Sequence, residues 1–269
     1  LKYEMDVLWI GARSTVNPFT VQEIADALKG VQIPVMVKNP INPDLALWKG
    51  AIERIYTAGI KEIAAIHRGF SSFEKTKYRN VPMWQLAIAL KSELPAISLI
   101  CDPSHIAGTR DLIQPISQKA IDLNYDGLMI ETHIDPDNAW SDAKQQVTPQ
   151  RLGEILHSIK IRQVVSDNQE FNSMLENIRS QLDQVDRELL EAMATRQRLV
   201  EKLGEYKKEN NVTVFQASRW MDVFKSRGEW GAQLGLSKEY VGKMFKIVHD
   251  ESVRVQSGIL NENREKIDK

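Results

Sequence analysis

Five short apolar runs in the first half of the chain each end in a charged side chain. These side chains are Arg13, Lys38, Arg68, Asp102 and Glu131. The three cations suit a small, highly charged anion, because Arg presents a planar fork of donors and Lys a point charge to phosphate or carboxylate groups. If the runs are strands of a barrel, their ends form one face and bring the five charges into one cleft. The alternative is that each charge only marks where a strand reaches water.

The two acidic strand ends are accompanied by histidines. His105 follows Asp102 by three residues, His133 follows Glu131 by two, and Asp142 lies on the next segment. Imidazole nitrogens and carboxylate oxygens from neighbouring loops form mixed ligand sets for divalent metals. The spacing is not that of a compact metal motif, so histidines that only brace the loops remain an alternative to a metal site.

A second set of polar residues interrupts a helical pattern in the second half of the chain. Arg196 falls where the spacing requires an apolar residue, and burying an unpaired Arg is costly. It therefore pairs with Asp183 or Asp186, fixes the register of packed helices, or faces an enclosed polar ligand. Cations and amides without a nucleophile or general base predict a cavity for a dianion. The residues on or beside this inner face are Arg179, Arg196, Lys207, Arg219, Ser252 and Gln256.

Apolar runs that alternate with amphipathic stretches position the first set of residues. Each run is too short for a helix and too continuously apolar for a strand with one wet face, which indicates parallel strands buried on both faces. The stretches between them have helical spacing, and Pro or Asp precedes several, as at helix starts. The pattern predicts an α/β fold of five β/α units. The runs are 7–10, 35–37, 63–66, 97–101 and 128–130, and the stretches are 20–29, 43–58, 82–93, 111–124 and 149–160.

The second set lies on predicted helices. Apolar residues at alternating steps of three and four predict a helix of roughly 35 residues and about 50 Å from Phe171. A second helix is predicted over 217–227, ending near Gly228, and a third from Ser237, a good N-cap, to about Glu262. Two shorter helices cannot cover the whole apolar seam of the first, so we expect a homodimer or a higher oligomer. The seam consists of Leu175, Ile178, Leu182, Val185, Leu189, Ala192, Leu199, Leu203 and Tyr206.

The composition is that of an ordinary globular protein. The 269 residues suggest two domains at about 150 residues each, and the hydrophobic share of 42% and charged share of 26% are typical. A net charge of -1 gives no basic excess for nucleic acid or an anionic membrane, and there is no spanning run or signal peptide. A single cysteine, Cys101, predicts a reducing, cytoplasmic location. The change of pattern predicts domains at 1–161 and 173–269 with a linker at 162–172.

Six segments of the first half carry a family resemblance. They are Gly11-Ala12-Arg13-Ser14, Val37-Lys38-Asn39, His67-Arg68-Gly69-Phe70 with Ser72-Phe73-Glu74, Asp102-Pro103-Ser104-His105, Leu128-Met129-Ile130-Glu131-Thr132-His133 and Ser141-Asp142-Ala143-Lys144-Gln145. Over about residues 4–155 the set resembles 3-deoxy-D-arabino-heptulosonate 7-phosphate (DAHP) synthase, a (β/α)₈ barrel that condenses phosphoenolpyruvate with erythrose 4-phosphate. The resemblance implies that Arg13, Lys38 and Arg68 bind phosphoenolpyruvate, with Lys38 a catalytic residue. It implies a divalent metal, Mn, Fe, Co or Zn, on His105, Glu131 and Asp142.

The chain departs from that family in two motifs. A Gly-Pro-Cys segment that supplies a fourth metal ligand and a Lys-Pro-Arg-Thr segment that binds the sugar phosphate do not occur here. Cys101 does not replace the first, because its place within a strand indicates a small buried thiol. The five units correspond to the fourth to eighth of the family's eight, so we expect a partial barrel, the C-terminal portion of a longer chain. We do not expect synthase activity from these 269 residues alone.

The second half carries a second resemblance, over roughly residues 173–263. Its motifs are Ile178-Arg179-Ser180-Gln181-Leu182-Asp183-Gln184-Val185-Asp186, Leu189-Leu190, Arg196, Gly204, Lys207-Lys208, Val214, Arg219 and Asp250-Glu251-Ser252-Val253-Arg254-Val255-Gln256. These residues resemble the all-α type of chorismate mutase, a three-helix domain that converts chorismate to prephenate without a cofactor. The resemblance implies that Lys207 and Gln256 contact the ether oxygen and that Arg196 and a partner subunit's Arg179 bind the carboxylates. Arg219 and Ser252 would support substrate binding.

One departure from the mutase pattern leaves the function of the helical domain open. Trp220 stands where the family usually has a carboxylate for the substrate hydroxyl, and Gln216 where it often has an aspartate. We expect a bifunctional enzyme of the shikimate pathway whose barrel is inhibited by prephenate or chorismate. The alternatives are a helical domain that is mainly a regulatory and dimerisation module with weak mutase activity, and a barrel that uses another sugar acceptor.

Overall fold

The protein divides into two compact units between Val165 and Ser166. The structure, a computed structural model, describes residues 5–73 and 75–261. Glu74 of the Phe73-Glu74 motif and Glu262 at the expected end of the last helix lie outside the described residues. Among the described residues, no helix is both long and apolar enough to cross a lipid bilayer.

The first unit contains a parallel sheet whose strands follow one another in chain order. Parallel pairing brings the carboxyl ends of all five strands to one edge, as the apolar runs predicted. Helices connect the strands, and this partial α/β barrel confirms the predicted β/α units. The strands are β1 (Leu8–Ile10), β2 (Val35–Lys38), β3 (Ile63–His67), β4 (Ser98–Cys101) and β5 (Gly127–Leu128).

Seven α-helices surround this sheet in the described part of the first unit. Side chains cap several of them: Asn17 accepts from the Phe19 amide at 3.0 Å, and Asp44 from the Leu47 amide at 2.9 Å. Two short helices directly follow strands and were not predicted. The helices are α1 (Ala12–Thr15), α2 (Pro18–Ala27), α3 (Leu45–Thr57), α4 (Trp84–Glu93), α5 (Pro103–Ala107), α6 (Ile113–Asp122) and α7 (Pro149–Ser158), with 3₁₀ turns at Arg110–Leu112, Pro136–Asn138 and Ala143–Gln145.

The core of the first unit lies between the sheet and these helices. Trp48 of α3 is fully buried, and its indole nitrogen donates to the Val37 carbonyl at 3.1 Å. This bond satisfies the polar end of a large side chain whose ring fills the space beside the sheet. Cys101 is also buried, and burial raises the pKa of its thiol. The expected small buried thiol within a strand is confirmed.

The described residues of the second unit, 166–261, form three helices. The first, α8 (Gln169–Glu209), has 41 residues and is roughly 60 Å long, and it begins inside the predicted linker at 162–172. It is followed by α9 (Ala217–Gln233) and α10 (Lys238–Asn261). Ser237 caps α10 as predicted, since its hydroxyl accepts from the Tyr240 amide at 3.0 Å.

The predicted end of the second helix near Gly228 is wrong. The helix continues to Gln233, and the left-handed residue that ends it is Gly235, with a φ of 80°. The Leu236 amide then donates to the Gly231 carbonyl at 2.9 Å. Gly231 is needed for packing, because a Cβ there would lie 2.5 Å from a methyl group of Val241. A glycine inside this helix therefore marks a close helix contact.

The apolar seam of α8 is exposed along the helix. Within the chain, Leu182 is 57% exposed and the later seam residue Leu199 62%, whereas Val200 and Gly204, which lie beside the seam, are buried against the other helices. Apolar side chains at regular helical spacing on an uncovered face are typical of a surface that packs against another chain.

Candidate functional site

The strand ends of the first unit contain a buried ion pair. Lys38, the last residue of β2, donates from Nζ to Asp102 Oδ2 at 3.0 Å, and the two side chains are 11% and 1% exposed. Asp102 also caps α5, because its Oδ1 accepts from the His105 amide at 3.1 Å. Burial raises the pKa of Asp102, but its contacts with His105 and the charge of Lys38 outweigh burial and hold that pKa below its usual value. The carboxylate is therefore ionised and shared between a cation and a helix N-terminus.

Two further cations gather at the same edge of the sheet. Arg68 follows β3, and its Nη1 donates to Asn80 Oδ1 at 2.7 Å while its backbone amide donates to Asn39 Oδ1 at 2.7 Å. Burial lowers the pKa of Arg68, and the nearby charges of Arg79 and Arg13 lower it further. Arg13, Lys38 and Arg68, predicted from separate segments, thus lie in one electrostatic neighbourhood that favours an anion.

One imidazole and two carboxylates meet beside these cations. Ligand atoms of His105, Glu131 and Asp142 all lie within 4.8 Å of one another, and His105 Nδ1 is 3.4 Å from Glu131 Oε1. One nitrogen and two oxygen donors fit a divalent transition metal. His133 has a different position, because its Nδ1 accepts from the Asp135 amide at 3.0 Å and so braces its loop.

Arg79, which was not predicted from the sequence, and Gln145, the last residue of the sixth family motif, hold this cluster. Arg79 Nη1 donates to Asp142 Oδ1 at 2.7 Å and to Gln145 Oε1 at 2.5 Å. Gln145 Nε2 in turn donates to Glu131 Oε2 at 2.8 Å. The bond from Arg79 holds the pKa of Asp142 below its usual range. No regular spacing connects Arg79 with residues so far along the chain, so the sequence pattern contained no signal for these contacts.

The three helices of the second unit enclose a cavity of about 480 Å³. Five of the six residues predicted for this site line it: Arg196, Lys207, Arg219, Ser252 and Gln256. The sixth, Arg179, does not line it within one chain. It is exposed, and its guanidinium pairs with Glu176 on the same helix at 2.6 Å.

Arg196 lines the cavity with neutral partners. Its Nη1 donates to Ser252 Oγ at 2.8 Å and to the Val248 carbonyl at 3.4 Å. Among the described residues no ion pair joins it to Asp183 or Asp186, the partners considered from the sequence. Burial lowers the pKa of Arg196, and the charge of Arg227 lowers it further. The cavity therefore contains a half-buried cation without a counterion in the described part of the chain.

Polar groups at the other side of the cavity are also poorly matched. Lys207 Nζ donates to the Val214 carbonyl at 2.6 Å, and burial lowers the pKa of its ammonium group. Gln256 is only 5% exposed; its Nε2 donates to the Ser252 carbonyl at 3.1 Å, while its Oε1 has no partner among the described residues. A buried polar atom without a partner costs roughly 1–3 kcal/mol, which a bound polar ligand would recover.

The cavity lining includes residues that the sequence analysis missed or noted only as departures. Arg227 adds a fourth cation to Arg196, Lys207 and Arg219, and the described lining contains no carboxylate. Trp220 also lines the cavity, with its ring 3.8 Å from that of His249 between centroids. Aromatic rings thus occupy the region where the mutase pattern has an acidic side chain. The cavity is consequently cationic and suited to an anionic ligand with apolar parts.

Comparisons with known proteins agree with the families expected for the two units. The sequence model of the DAHP synthetase I family matches residues 3–166, and that of chorismate mutase type II matches residues 178–257. The chain is 30% identical over 156 residues to phospho-2-dehydro-3-deoxyheptonate aldolase of Thermotoga maritima, covering 58% of this chain and 44% of that protein. It is 27% identical over 89 residues to a bifunctional chorismate mutase/prephenate dehydratase of Buchnera aphidicola, covering 33% of this chain and 23% of that protein.

A solved structure shows the same fold in the first unit. The truncated form of 3-deoxy-D-arabino-heptulosonate 7-phosphate synthase from Thermotoga maritima matches with a TM-score of 0.51 and 27% identity, over 58% of this chain and 57% of that chain. The chain thus spans less than two thirds of each of these three relatives. The family match extends over more than half of the chain and covers all five strands and the strand-end charges. The chain therefore belongs to the DAHP synthetase I family and carries, after that domain, a domain of the chorismate mutase type II family.

Proposed function

We propose that the protein is a bifunctional enzyme of the shikimate pathway, a DAHP synthase joined to a chorismate mutase. The observation that carries the mutase half is the cavity with four cations and no carboxylate in its described lining. Chorismate is a dianion, and a rearrangement without covalent catalysis requires only that its folded conformer is held and its transition-state charge stabilised.

The five predicted residues that line the cavity each have a role in the proposed rearrangement. Arg196, held by Ser252, binds one carboxylate of chorismate through its planar fork. Lys207 and Gln256 contact the ether oxygen, on which negative charge builds as its bond to the ring breaks. Arg219 supports substrate binding from α9. These groups are held in place before the substrate binds, so little reorganisation is needed during the reaction.

A second copy of the chain completes this site in the proposal. Arg179 lies on the part of α8 whose apolar seam is exposed, including Leu182 and Leu189. A homodimer that buries this seam would place the partner subunit's Arg179 at the second carboxylate of chorismate. Sedimentation velocity should then give a dimer or a higher oligomer, and Leu182→Glu should give monomers with little mutase activity.

The proposed function of the first unit is to bind phosphoenolpyruvate and a divalent metal for condensation with erythrose 4-phosphate. Arg13, Lys38 and Arg68 hold the phosphate and carboxylate of phosphoenolpyruvate. His105, Glu131 and Asp142 hold Mn, Fe, Co or Zn. The metal, when bound, supplies Lewis-acid polarisation of the aldehyde of the sugar phosphate.

Two titrations test the first unit without requiring turnover. Calorimetry of the intact chain with phosphoenolpyruvate should give binding that Arg68→Gln weakens at least tenfold. A parallel titration with erythrose 4-phosphate and with a pentose phosphate tests the acceptor, where tighter pentose binding would favour another condensing enzyme. Absence of phosphoenolpyruvate binding would contradict the proposal for the three cations.

The mutase proposal is tested by the disappearance of chorismate with the intact chain. Wild-type protein should convert chorismate to prephenate, and Arg179→Ala and Lys207→Met should both lose this activity. Mixing the two inactive variants should restore part of it, because a mixed dimer contains one site with both residues intact. Failure of the mixture to recover activity would contradict a site shared between subunits.

A second candidate function is favoured by Trp220 and Gln216 in the lining. With no carboxylate there for the substrate hydroxyl, the helical domain would act mainly as a regulatory and dimerisation module. Binding of prephenate by calorimetry together with no measurable conversion of chorismate would support the regulatory module over the enzyme.

In either case, prephenate or chorismate in the helical cavity would inhibit the synthase, as feedback from a later product. This coupling requires that the ligand has different affinities for two states of the protein. Synthase kinetics of the full-length protein that do not change on titration with prephenate would contradict it. A cytoplasmic location, where a buried unpaired thiol such as Cys101 stays reduced, completes the proposal.

A further inference from the structure

We propose that Arg79 is a positioning residue for the metal cluster, holding both carboxylate ligands in the arrangement that binds the metal. This inference rests on the proposed function of His105, Glu131 and Asp142 as metal ligands. Arg79 itself is not a ligand, because its guanidinium is a permanent cation. Its role would be exerted through hydrogen bonds to the residues that are.

The first observation is that one nitrogen of Arg79 is connected to both carboxylates, directly to Asp142 and through Gln145 to Glu131. Nη1 donates directly to Asp142 Oδ1 at 2.7 Å, and at 2.5 Å to Gln145 Oε1. Gln145, only 1% exposed, passes the contact on by donating from Nε2 to Glu131 Oε2 at 2.8 Å. The bonds to Asp142 Oδ1 and Glu131 Oε2 each use one oxygen of a carboxylate and leave the other oxygen for a metal.

The second observation is that the backbone of Arg79 is fixed on the helix that carries His105. The Arg79 amide donates to the Ile106 carbonyl at 3.0 Å, and a Cβ at Gly108 would lie 2.5 Å from the Cβ of Arg79. The following residue, Asn80, donates from Nδ2 to the His105 carbonyl at 2.6 Å. All three ligands are therefore connected to the Arg79-Asn80 dipeptide, although they come from three separate segments of the chain.

Charge and position make opposite predictions for removal of this side chain. As a cation, Arg79 repels a divalent metal, so its removal would strengthen binding if electrostatics alone mattered. Its side chain is 49% exposed, however, so water and salt screen this repulsion. Loss of an outer hydrogen-bond partner of metal ligands typically costs about 10–100-fold in metal affinity. We therefore expect position to dominate.

The test is a calorimetric titration of the intact chain with Mn²⁺ alone. Arg79→Gln should weaken Mn²⁺ binding about tenfold or more. Arg79→Lys should weaken it less, because a single ammonium retains the charge and can still donate to Asp142. The matched control is Arg110→Gln: Arg110 braces the same loop by donating to Gln146 and Ala143 carbonyls and to Asp137, without a described contact to a ligand. It should leave Mn²⁺ affinity within about twofold.

The outcomes separate this inference from the function on which it rests. Unchanged or tighter Mn²⁺ binding by Arg79→Gln overturns the positioning role, provided that His105→Ala abolishes binding in the same experiment. If wild type and His105→Ala bind alike, the metal cluster itself is overturned, and the role of Arg79 with it. Thermal unfolding is recorded for every variant. If Arg79→Gln does not fold, Arg79→Lys is compared with Arg110→Gln: weaker Mn²⁺ binding by Arg79→Lys supports the positioning role, and equal affinities overturn it.

Discussion

The two units differ in the partners that they provide for a cationic side chain at the candidate site. In the first, Lys38 and Asp102 neutralise each other at 3.0 Å, and the carboxylate also caps the helix that follows. In the second, Arg196 has a hydroxyl and a carbonyl as its partners, and the described lining of its cavity contains no acidic residue. The Lys38 charge is thus neutralised by a side chain of its own unit, whereas the Arg196 charge is left to be neutralised by a ligand.

This difference shows what each arrangement contributes to stability and to binding. A buried ion pair is costly to break, because removing one partner leaves an uncompensated charge. An unpaired, half-buried cation such as Arg196 costs some stability in the free protein but attracts an anion that enters the cavity. Sites held in strained or unpaired states commonly exchange stability for function. We therefore expect breaking the Lys38–Asp102 pair to affect mainly folding, and substituting Arg196 to affect mainly binding.

The largest expected effect is loss of stability on removing Asp102. Asp102→Ala leaves the Lys38 ammonium buried without its partner and removes the cap of α5, so the first unit should lose about 3–5 kcal/mol of unfolding free energy. Hydrogen exchange of β2 to β4 amides in the intact chain measures this unit separately from the helices. Glu93→Ala is the control, because its pair with Lys49 is 45% and 35% exposed, and it should cost less than about 1 kcal/mol. Equal costs for the two variants would contradict the contrast.

The next effect is a loss of activity without a loss of stability. Arg196→Met removes an unpaired cation from an apolar helix contact, so the unfolding free energy of the helical unit should stay the same or rise. The kcat/KM for chorismate should fall about 10–150-fold, because a hydrogen bond to a charged group such as a substrate carboxylate contributes about 1.5–3 kcal/mol. Steady-state kinetics and hydrogen exchange of α8 to α10 measure the two quantities. A destabilised variant would instead support the alternative that Arg196 fixes helix register.

Much of both units could be predicted from periodicity. Runs such as Val35–Val37 are apolar on both faces, and only a strand covered on two sides has that pattern. The strand-end cations were found because the carboxyl ends of parallel strands share an edge, which turns distant sequence positions into neighbours. In the helical unit, the same argument from spacing identified Arg196 and Ser252, which the structure brings to 2.8 Å from each other.

What could not be predicted depends on tertiary contacts. The sequence predicts a helix stop at Gly228, whereas the stop is Gly235. A glycine ends a helix where its backbone is left-handed, as at Gly235, and lies within one where a neighbouring helix packs closely, as at Gly231. Arg79 and Gln145 lie in loops whose course no periodic pattern determines. The site residues that rest on family resemblance, including Arg179 and Gln256, stay predictions until they are tested.

A smaller effect is expected from pH, and it should fall on the first unit. His67 of β3 is fully buried, and burial lowers its pKa from 6.5 to about 4. Its Nδ1 accepts from the Tyr125 hydroxyl at 2.8 Å and its Nε2 contacts the Pro82 carbonyl at 2.5 Å, which suits the neutral ring. The unfolded chain binds a proton below pH 6.5 and the folded one only near pH 4, so stability falls as pH drops between these values, by at most about 3 kcal/mol.

The measurement is urea unfolding of the intact chain at pH 7 and pH 4.5, with hydrogen exchange of the β3 amides as the readout for the first unit. His67→Gln is the comparison, because glutamine retains a donor but cannot titrate, and it should lose less stability over the same pH interval. Carboxylates that titrate in this range are common to both proteins and cancel in the difference. Parallel pH curves for the two proteins would show that His67 does not cause the acid sensitivity.

The smallest expected effect is the loss of one helix cap, and it should cost the same in both units. Equal costs would show that the two units differ in how their charges are paired and not in how stable their helices are. Ser237→Ala removes the hydroxyl that accepts from the Tyr240 amide at 3.0 Å, and Thr148→Ala removes the one that accepts from the Arg151 amide at 3.1 Å. Each leaves an exposed helix start without its cap, so each should cost about 1 kcal/mol of its own unit's unfolding free energy, measured by hydrogen exchange of α10 and α7. If the helical unit lost several times more than the first, its sensitivity would reflect low overall stability. Equal losses would leave the pairing of buried charges as the physical difference between the two sites.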